Sequence, residues 1–538
     1  MCVGKSLRVL LAVALLSNIG IANASDIIVM SNRMRSHELR ENGSAKMTQK
    51  DSPVRSAMGS GIAHESEKSI TGEPGSRADV HRVGNDSLKV NRRQSRSTKD
   101  NAHVTQAKKR GALPKRKRAN AAKSGAADET RKNLPDTNEY RVRVAQSKER
   151  SIALLNQYLA DGQLAEGEAA LLAELKLYPQ NDQARFGVGV IEFLRAIEQL
   201  AQDLHRYGVR DVSHGLSLPF LRLPIPVNSQ PESVSYSKIR KVFDTLVNGL
   251  SKAESTLASI SDKDVKLPVS FGMIRLDLNG DGRGDDCETL WKVYSSIQGN
   301  RMITLEQAKN FSITFDRGDV HWLRGYCHLL TAMCQVYLAY DSRESFECTA
   351  HLLFTKVENP YAFLTNGKHV HDIDGDTDIV DLIALIHLIR WHVTEPERMQ
   401  SALHHLEEMV RQSRYTWSYY LAETDDDHEW IPNPRQTGVI PNVHVTNEMV
   451  CAWTDLMNQI EQLLAGKLLI AFWRGDDGRG INLRRVFTEP RTLDLVLWVQ
   501  GPAAAPYLEK GNTTKITTWR NLRSAFGDQF PGFAIWFN

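Results

Sequence analysis

Apolar residues recur three and four positions apart over most of the chain between residues 139 and 466, with polar residues between them. This spacing places the apolar side chains on one face of an α-helix, and it predicts a mainly α protein built from helical hairpins or a bundle. In the segment 237–260 the stripe consists of Ile239, Val242, Phe243, Leu246, Leu250 and Leu257. Two further helices are predicted within 141–177, and single helices are predicted over 184–204, 379–392 and 447–464. Another is predicted to follow Asp316, which we expect to be its N-cap. The segment 379–392 is so apolar that we expect it to be buried.

Three short apolar runs towards the end of the chain lack helical spacing and are typical of strands. They cover residues 470–473, 493–499 and 533–537. We therefore predict a small β element, within an α/β segment over residues 467–538.

The first residues combine charge, an apolar run and small side chains in a fixed order. Lys5 and Arg8 precede the apolar run 9–16, and small residues at positions 22–24 follow it. This order is typical of a cleaved secretory signal peptide over residues 1–24, and it predicts export to the periplasm or the extracellular space. An uncleaved membrane anchor is the alternative, which the shortness of the run disfavours. No later stretch is apolar for long enough to span a bilayer, so we expect no integral membrane segment after cleavage.

Residues 25–138 show no sustained apolar periodicity and are rich in Ser, Asn, Gly, Lys and Arg. The densest basic runs are 92–93, 108–110 and 115–118, so the net charge of +3 for the whole chain hides a basic arm. Such a segment buries too little apolar surface to offset the entropy of ordering, and it is predicted to be a disordered linker. Weak contact with an anionic polymer or surface is the second interpretation of its charge.

The first predicted helical pair has the pattern of a close hairpin, because small residues allow two helices to approach and proline ends a helix. The residues that carry this pattern are Leu154, Leu155, Tyr158, Gly167, Leu171 and Pro179. They resemble one tetratricopeptide repeat, and the resemblance implies a helical surface that binds a protein partner. An ordinary helical bundle explains the same residues, and a single repeat is fewer than the three or so that a solenoid needs.

The segment 277–288 carries oxygen donors at the spacing of a twelve-residue EF-hand loop. Ca²⁺ is a hard cation that takes six to eight oxygen ligands, and a glycine at the sixth position allows the sharp turn around it. That position is occupied by Gly282. The predicted ligands are Asp277, Asn279, Asp281, the backbone carbonyl of Arg283, Asp285 and the bidentate carboxylate of Glu288. The segment resembles an EF-hand calcium loop, and Ca²⁺ is the predicted cofactor.

Two features distinguish this loop from paired EF-hands. Gly284 stands at the eighth position, where paired loops carry an aliphatic residue that bridges to the second loop. The preceding residues, 269–276, follow a proline and are predicted to be extended, whereas 288–297 is predicted to be helical. The loop is thus similar to the isolated loops of dockerin-type modules, without their tandem arrangement. The resemblance implies a structural ion, bound in the range of about 10⁻⁴ to 10⁻³ M that is usual for extracellular modules.

A second acidic run, 372–378, does not match the calcium pattern, because Thr377 stands where glycine is needed and Ile383 where glutamate is needed. Its carboxylates complement the positive end of the helix that follows, and a weak cation site is the alternative. His369 and His371 beside this run are candidate ligands for a transition metal, although no third ligand is evident.

The loop 425–435 is the place where we would expect catalysis if the protein were an enzyme. Asp426, His428 and Glu429 offer acid–base groups, and Trp430 offers a surface on which a sugar ring stacks. An exposed acidic connection is the simpler interpretation, because two prolines follow. The sequence contains no nucleophile elbow, zinc-protease helix, phosphate-binding loop or dinucleotide fingerprint.

These patterns divide the chain into six predicted segments. They are the signal peptide 1–24, the basic linker 25–138, the tetratricopeptide-like helices 139–262, the calcium loop region 263–300, a helical domain 301–466 and the α/β segment 467–538. We predict an exported calcium-binding protein that is a non-catalytic binding or assembly scaffold. A secreted hydrolase that acts on polysaccharide or peptide through the 425–435 loop is the alternative.

Overall fold

The computed structural model describes most of the chain from residue 137 onward, and these residues fall within one compact unit. The described ranges are 137–210, 225–292, 304–361, 363, 379–439, 444–475 and 478–526. Outside the described residues lie the predicted signal peptide, the basic linker up to residue 136, His369 and His371, the acidic run 372–378 and the predicted strand 533–537. The last two residues of the predicted linker, 137 and 138, belong to the first helix.

Four helices begin the described part of the chain: α1 (Thr137–Asp161), α2 (Leu164–Leu177), α3 (Asp182–Arg206) and α4 (Tyr236–Ala258). They confirm the helices predicted for this stretch. A Cβ atom placed on Gly167 of α2 would lie 2.8 Å from Cβ of Tyr158 on α1, so the hairpin closes because α2 has no side chain at that point. The hairpin itself is confirmed, and its likeness to a tetratricopeptide repeat stays a prediction.

Five further helices lead to the middle of the chain: α5 (Leu305–Lys309), α6 (Arg317–Leu338), α7 (Arg343–Leu353), α8 (Ile379–Leu388) and α9 (Pro396–Tyr420). The two longest, α6 and α9, are antiparallel, since Asp319 bonds Tyr420 at one end and Gln335 bonds Arg398 at the other. Asp316 caps α6 as predicted, because its side chain accepts hydrogen bonds from backbone N–H groups of the first turn.

The strands are short, and all of them pair antiparallel. They are β1 (Leu267–Val269), β2 (Ile313–Phe315), β3 (Tyr340–Asp341), β4 (Arg390–Val393), β5 (Ile470–Ala471), β6 (Arg479–Ile481), β7 (Leu493–Asp494) and β8 (Leu508–Lys510). They form the sheets β1–β2, β3–β4–β7 and β5–β6–β8. The pairing of β7 with β4 joins the end of the chain to its middle, and β5 confirms part of the strand predicted at 470–473.

The helix predicted over 379–392 is wrong in its length and in its burial. Helix α8 ends at Leu388, and the following residues form β4 between two partner strands. Backbone pairing on both edges of β4 therefore takes the N–H and C=O groups that a longer helix would need. Ile383 and Ile386 are 50% and 37% exposed, so α8 is not buried despite its composition.

The last helices are α10 (Asn447–Leu464), α11 (Leu483–Thr488), α12 (Leu495–Gln500) and α13 (Ile516–Phe526). Helix α10 has the predicted bounds. The strand predicted over 493–499 is wrong beyond Asp494, because the run continues as α12. The Asp494 side chain accepts a hydrogen bond from Leu497 N and caps the helix, and Gly501 ends it with a φ of 107°.

The apolar core continues across the predicted segment boundaries. One cluster joins side chains of α6, α9, α10, α11 and α13, among them Trp453 and Phe487. A second cluster packs α1, α2 and α3 against β1, and it includes Leu276 and Leu278 at the start of the predicted calcium loop. The loop is thus anchored in the core of the N-terminal helices. No helix in the ranges that the structure describes is both long and apolar enough to cross a lipid bilayer.

Candidate functional site

The predicted calcium loop closes on itself through a short antiparallel bridge instead of two helices. Arg275 and Thr289 form the bridge on either side of the loop, and Leu290 N donates to Ile274 O at 2.9 Å. The extended entry predicted over 269–276 is confirmed at Val269 and at Ile274, but it is wrong over 271–273, which form a 3₁₀ turn. This closure holds the two ends of the loop together without requiring a second EF-hand.

Inside the loop, the Asp277 carboxylate accepts three backbone hydrogen bonds. Its Oδ1 receives Gly280 N at 2.7 Å and Asp281 N at 3.2 Å, and its Oδ2 receives Gly282 N at 2.9 Å. The glycines have φ values of 78° and 84°, which lie in the left-handed region. Glycine adopts this region without strain, so the two residues allow the chain to turn tightly around one carboxylate.

Glu288 connects the two halves of the loop. Its Oε1 accepts Leu278 N at 2.9 Å, and its Oε2 accepts Asp285 N at 2.8 Å. The side chain is 1% exposed, and burial, together with the charges of Asp277 and Asp285, raises its pKa. Glu288 lies in a 3₁₀ turn, so the helix predicted to begin there is wrong at its first residue: the chain becomes helical only from Leu290, after the bridge.

Helix α3 holds the first residue of the loop from outside. The Asp277 N–H donates to Glu198 Oε1 at 2.8 Å, and Gln202 Nε2 donates to the Asp277 carbonyl at 2.8 Å. Burial raises the pKa of Glu198 to about 7, and the nearby carboxylates of Asp277 and Glu288 add to this effect. The loop pattern alone gave no signal for Glu198 or Gln202, because both lie far upstream on another helix.

The eighth position of the loop contacts the turn between α1 and α2. A Cβ atom on Gly284 would lie 3.2 Å from Cα of Gly162 and 2.9 Å from Cβ of Arg275. The Arg275 N–H donates to the Leu159 carbonyl at 2.9 Å, which fixes the same contact from the entry side. Gly284 therefore contacts the turn between α1 and α2, whereas the same position of a paired EF-hand contacts the second loop.

The loop carries the donor types that calcium prefers, but these groups are engaged in hydrogen bonds with the loop backbone. Asn279 Oδ1 accepts Asp281 N at 2.8 Å, and Asp281 Oδ1 accepts Arg283 N at 2.9 Å. Within the part of the chain that the structure describes, no group of three or more His, Cys, Asp or Glu side chains is arranged to hold a metal ion. Calcium binding by this loop stays a prediction, and it requires these oxygens to turn towards a common point.

The candidate catalytic groups of the loop 425–435 differ in their exposure to solvent. Asp426 and His428 are exposed, whereas Glu429 is only 3% exposed. Asp426 Oδ1 accepts Thr437 N at 2.9 Å, within the loop's own turn. Trp430 packs against Phe271, Phe315 and Trp322 in tilted or edge-to-face contacts, with ring centroids 5.5, 6.5 and 5.8 Å apart.

A group of carboxyls that the sequence patterns did not reveal, two buried and two half-buried, lies where this loop meets the start of α6. It joins Asp316 and Asp319 to Glu423 and Glu429, and Tyr420 Oη donates to Asp319 Oδ1 at 2.6 Å. Burial, followed by interactions with Asp316, raises the pKa of Glu423 to about 10; burial and the charge of Asp316 raise that of Glu429 to about 8. The raised pKa values favour the protonated, neutral form of both groups.

Comparisons with known proteins give no relatives for this chain: no protein-family model, curated protein or solved structure matches it.

Proposed function

We propose that this chain is an exported calcium-binding protein in which one Ca²⁺ ion, held by residues 277–288, stabilises a non-catalytic binding or assembly scaffold. The observation that carries the proposal is the loop itself. It combines a complete set of oxygen donors at EF-hand spacing with two left-handed glycines and a buried terminal Glu288.

The electrostatics of the loop support a cation. Asp277 and Glu288 are 8% and 1% exposed, and Glu198 lies against the same end of the loop. Carboxyls that are buried together in this way destabilise one another when ionised, and a divalent cation removes that cost by supplying positive charge. The middle of the loop, including Asp281 and Asp285, is exposed and open to ions from solvent.

The contacts around the loop support a structural role for the ion. The loop touches the α1–α2 turn through Gly284 and helix α3 through Asp277, and its first residues enter the apolar core. An ion that fixes the loop would therefore fix the packing of the first three helices. An extracellular loop of this kind binds with a dissociation constant of about 10⁻⁴ to 10⁻³ M, which suits permanent reinforcement better than signalling.

We assign the binding of other molecules to two parts of the chain. The α1–α3 helices offer a surface for a protein partner, in keeping with the tetratricopeptide resemblance. The basic arm 25–138 suits weak contact with an anionic polymer. Export rests on the charged and apolar pattern of residues 1–24.

The alternative, a secreted hydrolase, needs a carboxylate and a second acid–base group that converge on a substrate. Exposed Asp426 and His428 and buried Glu429 do not form such a convergent set, and Lys266 pairs with Asp425 and Asp427 on the same loop. The scaffold is therefore the function that the geometry supports better.

Calorimetric titration with CaCl₂ in chelator-treated buffer tests the proposal on the full chain, Glu288→Gln and Asp286→Asn. Asp286 is a matched control, because it lies in the same loop, is not a predicted ligand and is 78% exposed. We expect one site in the wild type and in Asp286→Asn, and loss of binding in Glu288→Gln, because the amide cannot supply two anionic oxygens. Equal heats in Glu288→Gln and the wild type would contradict the assignment.

A further inference from the structure

Two histidines face each other across the interface between the long helices α6 and α9. The Nδ1 atoms of His328 and His405 are 2.9 Å apart. A hydrogen bond between two ring nitrogens needs one donor and one acceptor, so this contact requires one proton between the two atoms. If both nitrogens carried a proton, two N–H groups would point at each other and the contact would be repulsive.

Charged and titratable groups from three helices surround the pair. Glu254 of α4 lies 3.5 Å from His328 Nε2, and Arg324 of α6 donates two hydrogen bonds to the same Glu254 oxygen, at 3.0 and 2.8 Å. His404 of α9 lies beside His405, with ring centroids 5.6 Å apart. Burial and the neighbouring His328 and His404 lower the pKa of His405, whereas the Glu254 carboxylate acts in the opposite direction.

A third histidine extends this arrangement along the same interface. His321 lies two turns before His328 on α6, is 5% exposed, and its Nδ1 is 2.7 Å from Gln412 Oε1 on α9. The amide oxygen accepts, so Nδ1 is the donor and the other ring nitrogen is without its proton in the neutral form. Arg317 and Arg324 are the charged groups that act on it.

We propose that the His328–His405 pair is an acid-sensitive latch that holds α6 against α9 while it shares one proton and weakens when a second proton enters. Burial, and then the charge of His328, lower the pKa of His405 to about 4, well below the ordinary value for histidine. The unfolded chain takes up the proton near pH 6.5, whereas the folded chain resists it. Acidification from pH 7 therefore favours states in which His405 is released from the interface.

The sign of the effect is opposite for the buried carboxyls. A histidine with a lowered folded-state pKa makes folding less favourable as the pH falls from about 6.5 to 4, whereas the raised pKa of Glu429 makes folding more favourable over part of the same range. The dependence of stability on pH therefore contains both contributions. The contribution of the latch is obtained from the difference in stability between the wild type and a histidine variant.

The test compares urea unfolding of the full-chain wild type, His405→Gln and His444→Gln at pH 7.5 and 5.0. Glutamine stays uncharged and retains a hydrogen-bonding group; His444 is exposed and serves as the matched control. On acidification, the unfolding constant of the wild type should rise relative to that of His405→Gln by roughly 25-fold, from the two pKa values. His444→Gln should follow the wild type. A ratio that does not change with pH would overturn the proposal.

A second measurement uses only the wild type, so it tests the proposal even if His405→Gln does not fold. In the wild type with ¹⁵N-labelled histidine, the signal of His405 should keep the shifts of a neutral ring down to about pH 5. Hydrogen exchange of α9 should accelerate over the range in which that signal titrates. If His405 titrates near 6.5, the ordinary pKa of histidine, and hydrogen exchange of α9 does not change, the latch is contradicted.

Discussion

Replacing Glu429 by glutamine should remove a pH dependence that this one buried carboxyl imposes on the whole fold. Its folded-state pKa is raised to about 8, first by burial and then by Asp316, from an ordinary value of 4.5. Between these values the folded chain keeps a proton that the unfolded chain releases, so the free energy of unfolding falls as the pH rises, by about 1.4 kcal/mol per pH unit. Glu429 is 3% exposed, and solvent screening therefore reduces this effect little.

The amide mimics the protonated carboxyl and does not titrate, so the variant should lack this slope. Between pH 5.5 and 7.5, Glu429→Gln should gain about 3 kcal/mol of stability relative to the wild type. Urea unfolding of the full chain, followed by tryptophan fluorescence at both pH values, measures the difference. Asp426→Asn is the control, because Asp426 is an exposed carboxylate in the same loop. If the difference in stability between Glu429→Gln and the wild type is the same at both pH values, Glu429 does not have a raised pKa in the folded chain.

Four further substitutions test contacts of the calcium loop and, through Lys266, of the 425–435 loop. Gly284→Val should cost about 1–3 kcal/mol in urea unfolding, because the new side chain overlaps Gly162 in the α1–α2 turn, and an unchanged midpoint would show that the contact is absent. Glu198→Ala should weaken calcium binding about tenfold in calorimetry. Glu198→Gln loses the charge but keeps an acceptor for Asp277 N, and it should weaken binding less than Glu198→Ala does. Lys266→Ala should change stability by less than about 1 kcal/mol, because its ion pairs are largely exposed; a larger loss would indicate a buried role.

The helices could be predicted where one apolar stripe continues at helical spacing along the whole segment. Helix α10 has the bounds that its spacing and the following Gly466 indicate, and α4 follows the stripe of apolar residues that begins at Ile239. The run 493–499 could not be assigned in this way, because a short apolar run fits a strand and a buried helix equally well. The outcome depends on the cap that Asp494 provides and on the pairing of β7 with β4, and that pairing joins residues about a hundred positions apart.

In the candidate site, too, the groups that are close in sequence could be predicted, and those that are distant in sequence could not. The donors from Asp277 to Glu288 could be identified because a calcium loop draws its ligands from consecutive residues. Glu198 could not, since it reaches the loop from helix α3, and the carboxyls around Asp316 come from two separate parts of the chain. Groups that act together across a fold leave no periodic signal in the sequence, and only their burial in the folded chain reveals them.

Anomalous scattering from crystals of the full chain grown with millimolar CaCl₂ tests directly whether residues 277–288 bind calcium. We expect one anomalous peak inside the 277–288 loop, at about 2.3–2.6 Å from side-chain oxygens of Asp277, Asn279 and Asp281 and from both carboxylate oxygens of Glu288. Clear density for the loop with no peak within ligand distance of Asp277 and Glu288 would contradict it.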